Sequence, residues 1–234
     1  MGLADLHIHT IYSYDGTAPI ASVLTQAKKI GLDVIAITDH DEINGSLKAL
    51  ELATQYGVEV IPGIEITTAE GDLLALNITQ KIERGQPLID TILQVGEAGG
   101  FCIAPHPMAG GLAMKSLSAY SIMKALRTPD AAKILIALET YNATAIDRMS
   151  NQHAHNLAET LHITKTGSSD AHIIQAIGLG TTGFKGHTAR DLIRALYKGK
   201  VYIQKQKELS PAHMLSIWAA KYIGSAFTRL VNAA

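Results

Sequence analysis

Short apolar segments rich in β-branched residues alternate with helical patterns along most of this 234-residue chain. The segments at 34–38 and 134–139 are almost continuously apolar, which is typical of parallel strands covered on both faces. Gly31 and Gly57 follow two of the helical patterns, where glycine commonly ends a helix. About seven β–α units in roughly 200 residues favour a closed barrel over an open sheet. We therefore predict an α/β fold in which a closed, TIM-like barrel is favoured.

Apolar periodicity and turn residues give the expected elements. Strands are predicted at 3–9, 33–38, 58–67, 73–79, 101–104, 134–140, 163–167 and 201–204. Helices are predicted at 20–30, 44–56, 87–98, 116–127, 143–161 and 188–198. These elements make one barrel domain over residues 1–210, and residues 211–234 form an amphipathic C-terminal helix. We expect that helix to dock on the outer face of the barrel, with a homo-oligomer contact or peripheral membrane attachment as alternatives.

Charge and cysteine content narrow the class of protein. The chain has 20 basic and 21 acidic residues and a net charge of -1, so no extended nucleic-acid-binding surface is expected. Cys102 is the single cysteine, which excludes an internal disulfide and fits a reducing compartment. The amino terminus lacks the pattern of a secretory signal, and no long uncharged apolar run predicts a transmembrane segment. We therefore expect a cytoplasmic protein.

Half of the ten histidines lie where predicted strands end. His7 and His9 are two residues apart on a strand, so their imidazoles face the same way. Because the C-terminal ends of barrel strands form one face, the polar residues that follow several strands converge there. A cation would organise such a cluster, and imidazole with carboxylate suits Zn²⁺, Mn²⁺ or Fe²⁺. The alternative is that each histidine is satisfied separately by its own local partners, which requires five independent coincidences of position. The other members of the predicted cluster are His40, Glu65, His106, Asp170 and His172.

The motifs D-L-H-x-H-T, I-T-D-H-D, G-I-E, A-P-H-P and S-S-D-A-H follow one another from Asp5 onwards. This ordered set resembles the PHP family, named for polymerase and histidinol phosphatase, and the resemblance extends to about Ile203. It implies the distorted (β/α)7 barrel, two or three divalent metal ions at the strand C-termini, and phosphoester hydrolysis by a metal-bound water. The metal ligands that the resemblance implies are His7, His9, Asp15, His40, Glu65, His106, Asp170 and His172.

One position departs from the family pattern. Members usually have a histidine in the segment G-H-L-L-A-L, whereas residues 71–76 here are G-D-L-L-A-L. Asp72 therefore stands where histidine is expected, and a carboxylate can still hold Zn²⁺ or Mn²⁺. We keep Asp72 as a candidate ligand, and the alternative is a solvated aspartate in a turn.

Phosphoester cleavage also needs a proton for the leaving oxygen and cations for the phosphate. His172, Asp15 and Asp41 are the candidate proton donors, and the sequence does not choose among them. Lys115 and Arg148 are the candidates for binding substrate phosphate, with ordinary exposed helix charges as the alternative.

Ligating imidazoles need acceptors for their second ring nitrogen. Asp5, Asp39 and Glu139 lie beside or at the ends of the site strands and are the candidates. The remaining histidines match no motif, and we expect none of them to be a ligand. They are His153, His155, His162, His187 and His213.

The expected function is metal-dependent hydrolysis of a phosphomonoester or phosphodiester of a small metabolite or (oligo)nucleotide. Histidinol-phosphate phosphatase and 5'-3' exonuclease on short oligonucleotides are the enzymatic alternatives. A catalytically silent PHP scaffold is a further alternative from a different class, although silent relatives tend to lose several ligands and only one position departs here.

Overall fold

The computed structural model describes residues 1–110, 115–145, 147–206 and 209–232, without the side chains of Arg148 and 226–232. The strands are β1 (Gly2–Asp5), β2 (Val34–Ile37), β3 (Glu59–Thr67), β4 (Asp72–Leu76), β5 (Phe101–Ala104), β6 (Leu135–Asn142), β7 (Thr164–Ser168), β8 (Gly180–Phe184) and β9 (Val201–Lys205). The helices are α1 (Ile20–Lys29), α2 (Asn44–Tyr56), α3 (Leu88–Glu97), α4 (Ala119–Leu126), α5 (Pro129–Ile134), α6 (Arg148–Leu161), α7 (Ala189–Tyr197) and α8 (Pro211–Asn232), with a 3₁₀ turn at Ile174–Ala176.

The strands of these ranges form one sheet in the order β7-β6-β5-β4-β3-β2-β1-β8-β9, which curls into a nearly closed barrel. Pairing is parallel between β1 and β2, β2 and β3, β5 and β6, and β6 and β7. The sheet closes on itself where β7, at one end of the strand order, meets β8, and the Gly167 N–H of β7 donates to Thr182 Oγ1 of β8 at 3.1 Å. The predicted distorted barrel is confirmed. The distortion comes from β4, β8 and β9, which pair antiparallel with their neighbours.

Strand β2 shows why the apolar runs predicted a doubly covered sheet. Val34 and Ala36 pack inside the barrel, whereas Ile35 and Ile37 pack against the layer that includes α1 and α2. Leu192 and Leu196 of α7 join the interior cluster. The start of α7 lies at the amino-terminal strand ends, since the Ala189 N–H donates to Glu59 Oε2 at 2.6 Å. Helix α7 therefore covers that end, and the opposite end carries the functional residues.

Several predicted boundaries were wrong for local reasons. The helix predicted at 143–161 begins only at Arg148. Before it, the Asn142 Oδ1 accepts the backbone N–H groups of Thr144 and Ala145, a side-chain turn that competes with the helix. The strand predicted at 73–79 ends at Leu76, and neither α5 nor β8 was predicted. Strand β8 is rich in glycine and threonine, so its apolar signal is weak.

Helix α8 packs on the barrel at the end that carries the functional residues, next to the outer apolar layer that includes α1 and α2. Met214 is buried in the same cluster as Ile8, and the Trp218 indole N–H donates to the backbone carbonyl of Asp15 at 2.8 Å. Further along, Ile223 is 78% exposed. A homo-oligomer contact through α8 stays a prediction. None of the helices in the described ranges has the length and hydropathy that a bilayer crossing requires.

Candidate metal centre

Two backbone segments place four candidate ligands side by side. Ile8 and Ala171 form an isolated parallel bridge, with the His9 N–H donating to the Ala171 carbonyl at 2.9 Å. Ile8 and Ala171 both point into the apolar layer around α1 and α2. Their neighbours in each segment must therefore point the other way, into the mouth of the barrel. Those neighbours are His7, His9, Asp170 and His172.

The ends of β2 and β3 add two more groups in the same manner. His40 and Glu65 form a second isolated parallel bridge, and His40 Nδ1 lies 3.3 Å from Glu65 Oε2. The backbone is held by the Asp41 N–H, which donates to the Glu65 carbonyl at 2.8 Å. The mouth of the barrel thus collects side chains from segments far apart in sequence.

Glu65 is the centre of the cluster. Its Oε2 lies 3.2 Å from His7 Nε2 and 3.3 Å from His9 Nε2. Its Oε1 lies 3.1 Å from His106 Nε2. Together with His40, four imidazoles therefore face this one buried carboxylate.

The donor atoms fall into three overlapping groups, each within 4.8 Å, and each able to hold a metal ion. Since His7 and His9 each belong to two groups, the ions that they could hold would be close neighbours. The groups are His9, Asp15, His40 and His172; His7, Glu65 and His106; and His7, His9 and Asp170.

The charges in the cluster depend on one another. Burial acts to raise the pKa of Glu65, but the imidazoles of His40 and His7 hold that pKa well below its ordinary value. Burial acts to lower the pKa of His7, yet Asp170, Glu65 and Glu139 raise it well above its ordinary value. The buried carboxylates therefore require positive charge nearby, from protonated imidazoles or from a cation that replaces those protons.

The surroundings of His9 are suited to a metal ion. Its Nε2 lies 3.2 Å from Asp170 Oδ1, yet neither ring nitrogen of this buried side chain makes a hydrogen bond. Leaving a buried polar atom unpartnered costs about 1–3 kcal/mol. The Oδ1 atom of Asp72 is likewise buried and unpartnered. Imidazole nitrogen is a good donor to a divalent cation, which would satisfy one ring nitrogen of His9.

Asp72 is not the solvated turn aspartate that the alternative described. It is the first residue of β4, is 3% exposed, and lines the same cavity as Glu65 and His106. Burial and the charge of Glu65 raise the pKa of Asp72 to about 6. It does not belong to the three donor groups formed by the described residues.

Of the three predicted acceptors, Glu139 contacts a site imidazole, with its Oε1 3.1 Å from His7 Nδ1. Asp5 and Asp39 bond to other groups, which differs from the prediction. Asp5 accepts the backbone N–H groups of Ser169 and Gly178 at 3.0 and 2.9 Å. Asp39 accepts the backbone N–H and the hydroxyl of Thr10 at 2.6 and 2.8 Å.

Burial raises the pKa of Asp5 and that of Asp39 to about 6. Both carboxylates nevertheless serve the site, because they fix the backbone beside Asp170 and beside His9.

Sequence reasoning missed two polar residues of the site. Asn142 Nδ2 donates to Glu139 Oε2 at 3.0 Å and to Asp170 Oδ2 at 2.9 Å, so it joins two carboxylates. Ser116 Oγ lies 3.1 Å from His106 Nδ1. Asn142 ends β6 three residues after Glu139, and this position at a strand end is the signal that could have found it.

Of the three candidate proton donors, Asp15 and His172 line the cavity over the cluster and Asp41 does not. Asp15 Oδ2 lies 3.1 Å from His172 Nε2 and 3.4 Å from His40 Nε2, and both Asp15 and His172 line the cavity. Asp41 instead accepts the backbone N–H of Thr67 at 2.8 Å and lies 3.6 Å from Arg84 Nη1. Its carboxylate is thus engaged outside the described cavity wall.

Of the two candidate phosphate-binding cations, Lys115 does not line the described cavity. Lys115 is exposed, and its backbone carbonyl accepts the Asp72 N–H at 2.5 Å. Arg148 begins α6, and its side chain lies outside the described residues. The histidines expected not to be ligands belong to none of the donor groups of the described chain. Among them, His155 lies 3.8 Å from Glu159, and His187 lies 2.8 Å from Asp33.

A cavity of about 590 Å³ lies over the cluster. A second cavity, of about 670 Å³, lies at the opposite end of the barrel between Lys28, Asp33 and Glu59. The carboxylates of the second cavity are paired, since Asp33 accepts the Leu3 N–H and Glu59 accepts the Ala189 N–H. Its described lining holds no group of metal donors, so we place the functional site at the first cavity.

Residues 5–210 match the model of the PHP domain. An uncharacterised protein of Methanocaldococcus jannaschii is 41% identical over 114 residues, which is 44% of this chain and 67% of that protein. A second uncharacterised protein of the same organism is 26% identical over 217 residues, 93% of this chain and 79% of that protein. The phosphoribosyl 1,2-cyclic phosphate 1,2-diphosphodiesterase of Eggerthella lenta is 40% identical over 65 residues, but the match spans only 28% of this chain and 24% of that enzyme.

Two solved structures share the fold. PsfC from Pseudomonas syringae superposes with a TM-score of 0.66 at 19% identity, covering 95% of this chain and 98% of that one. A "putative metal-dependent phosphoesterase" from Bifidobacterium adolescentis superposes with a TM-score of 0.62 at 18% identity, covering 85% and 96%. Both superposed structures share the barrel fold of this chain. Because the PHP domain model matches residues 5–210, which is most of this chain, the chain belongs to the PHP family.

Proposed function

We propose that this protein is a metal-dependent phosphoesterase that hydrolyses a phosphomonoester or phosphodiester of a small molecule. The observation that carries the proposal is His9, whose two buried ring nitrogens have no hydrogen-bond partner and which belongs to two of the three overlapping groups of metal donors. One relative, named a diphosphodiesterase, supports it by its name, and a solved structure with the same fold is titled a "putative metal-dependent phosphoesterase". The proposed ligands of two or three divalent ions are His7, His9, Asp15, His40, Glu65, Asp72, His106, Asp170 and His172.

Divalent ions bound there would lower the pKa of a water to about 7 and neutralise charge on the phosphate oxygens. The chain itself supplies charge and orientation. Glu65 and Asp170 are buried carboxylates whose pKa values are held well below the ordinary range, so they remain anionic towards a cation. Glu139 and Asn142 fix the positions of His7 and Asp170.

Asp15 and His172 are the residues that we assign to the proton of the leaving oxygen. Their side chains are 19% and 26% exposed, whereas those of His7 and His9 are fully buried. The His172 Nδ1 can donate to the Asp170 carbonyl at 3.0 Å, which turns Nε2 towards Asp15 Oδ2. When these two side chains do not hold a metal ion, a proton shared by His172 Nε2 and Asp15 Oδ2 would face the cavity.

The test is metal analysis of the purified protein together with hydrolysis of p-nitrophenyl phosphate and its bis-ester under Zn²⁺, Mn²⁺ and Fe²⁺. We expect two or more ions per chain and turnover of at least one ester. Glu65→Gln should lose both, whereas Glu51→Gln on the exposed face of α2 should keep both. Fewer than two ions with no turnover would overturn the proposal. Preference for the bis-ester would favour a diesterase, with a short oligonucleotide as one possible substrate.

A further inference from the structure

The cavity over the cluster has two chemically different walls. One wall is the polar donor cluster around Glu65. The other wall is apolar and comes largely from α8, a helix that lies beyond the matched PHP domain. The apolar wall consists of Ile173, Ala176, Pro211, Met214, Leu215 and Trp218.

Helix α8 is fixed to the site by contacts on both sides of this wall. Met214 packs into the apolar cluster that includes Ile8 and Ala171, the two residues that aim the candidate ligands. The Trp218 indole N–H donates to the Asp15 carbonyl at 2.8 Å, so this ring is anchored to the loop of a candidate ligand. Tyr222 stacks on Trp218 with ring centroids 4.7 Å apart. The helix is therefore held in place without any bound molecule.

Two apolar groups face the cavity without being covered. Leu215 lines it and is 63% exposed. Tyr14 also lines it, is 64% exposed, and stacks on His40 at 5.1 Å between ring centroids. Exposed apolar surface that converges on a concave site is the usual mark of a ligand contact. The described lining contains neither lysine nor arginine, so this part of the cavity offers a polyanion no side-chain cation.

We infer that the substrate is a phosphoester whose alcohol part is apolar and aromatic, and that Trp218 and Leu215 determine this specificity. The inference rests on the proposed function, because the phosphate is assigned to the donor cluster. A cavity of about 590 Å³ has room for a phosphate and a ring system. The ring would pack on Trp218 and Leu215, with Tyr14 across the mouth, and would remove their apolar surface from water.

The kinetic test compares benzyl phosphate with ethyl phosphate, which present the same phosphate on a primary alcohol. Comparing each variant with the wild type cancels the difference in leaving group. Leu215→Ala should lower kcat/KM for the benzyl ester severalfold and leave the ethyl ester within about twofold. Trp218→Ala should lower kcat/KM for the benzyl ester about tenfold or more. Trp218→Phe keeps an aromatic ring but lacks the indole N–H, and it should retain much of the preference for the benzyl over the ethyl ester. Ile223→Ala, on the same helix and 78% exposed, is the matched control and should change neither ester.

A binding measurement gives a second readout that needs no turnover. Trp218 is the single tryptophan, so its emission reports directly on this wall. In zinc-loaded protein, benzylphosphonate should change the emission at about tenfold lower concentration than ethylphosphonate. Leu215→Ala should reduce that difference, and Ile223→Ala should not.

The outcomes separate the two proposals. Hydrolysis of both esters with an unchanged benzyl preference in Leu215→Ala and both Trp218 variants would overturn the specificity inference and leave the phosphoesterase intact. Preferred binding of benzylphosphonate without hydrolysis of either ester under any metal would keep the apolar wall and overturn the phosphoesterase. Equal binding of the two phosphonates would count against the inference even if Trp218→Ala fails to fold.

Discussion

Glu139 fixes two candidate ligands at once, since its Oε1 lies 3.1 Å from His7 Nδ1 and its Oε2 accepts the His106 backbone N–H at 2.8 Å. With its Nδ1 proton held by Glu139, His7 can present Nε2 to a cation in the space shared with Glu65 and Asp170, once that cation replaces the Nε2 proton. A carboxylate behind a ligating imidazole sets both its tautomer and its orientation. Glu139 therefore prepares His7 for a cation.

Replacing Glu139 by glutamine should weaken metal binding while the barrel stays folded. The amide keeps the shape of the side chain but removes the negative charge behind His7, and loss of such a partner lowers metal affinity by about 10–100-fold. Competition with a chromogenic chelator measures the affinity. Glu159→Gln on the exposed side of α6 is the matched control and should bind metal as the wild type does. Equal affinity in the Glu139 and Glu159 variants would show that Glu139 has no such role.

The alternation of residues along strands made much of this site predictable. His7 and His9 were expected to share a face, and the structure shows why: Ile8 between them points into the apolar layer. The roles of Asp5 and Asp39 were mispredicted because their partners are backbone groups distant in sequence, such as the N–H of Gly178. Asn142 belongs to no sequence motif. Its role depends on the distance between the carboxylates of Glu139 and Asp170, and only the folded chain defines that distance.

The sequence also did not predict the position at which α8 docks. Its apolar stripe predicted docking but not the surface on which it docks, because many faces of a barrel can accept an apolar helix. Among the described residues, the contacts that place it include the hydrogen bond from the Trp218 indole to the Asp15 carbonyl and the burial of Met214. Neither contact leaves a periodic signal in the chain.

Asp72→Asn should reduce the number of ions bound per chain. Asp72 is 3% exposed with an unpartnered Oδ1, and the amide nitrogen or neutral oxygen of asparagine is a weaker donor to a divalent cation. Without metal, the variant should melt at the same temperature as the wild type or higher, because it lacks a buried charge near Glu65. Elemental analysis and a thermal scan measure both quantities. Undiminished metal content would exclude Asp72 as a ligand.

Removing bound metal should destabilise the whole domain. The donor groups lie on β3 and in the segments after β1, β2, β5 and β7, so cations held there join most of the barrel. A ligand at about 100 times its Kd stabilises by about 2.7 kcal/mol, which is a shift in Tm of about 5–10 °C in a domain of this size. Calorimetry before and after dialysis against a chelator measures the shift, and restored Zn²⁺ should reverse it. The Tm of Glu65→Gln should change little when the chelator is applied. A wild-type protein with the same Tm before and after the chelator would contradict the prediction.

The thiol of Cys102 should be unreactive in the folded protein at any pH from 7 to 9. Cys102 lies fully buried on β5, and burial raises the pKa of its thiol well above the ordinary value of 9.0. The reactive thiolate is therefore confined to unfolded chains. Labelling with Ellman's reagent should be negligible in buffer and complete in guanidinium chloride.

The pKa of the Cys102 thiol is higher in the folded protein than in the unfolded chain. Below pH 9 the thiol is neutral in both states and does not affect the free energy of unfolding. Above pH 9 the thiol ionises in the unfolded chain first, so the free energy of unfolding falls as the pH rises. The difference in free energy of unfolding between the wild type and Cys102→Ala should therefore narrow above pH 9, because only the wild type carries this ionisation. Denaturant unfolding at pH 7, 9 and 10 measures it. A native thiol that labels faster as the pH rises from 7 to 9, without a parallel loss of folded protein, would mean that β5 opens locally around Cys102.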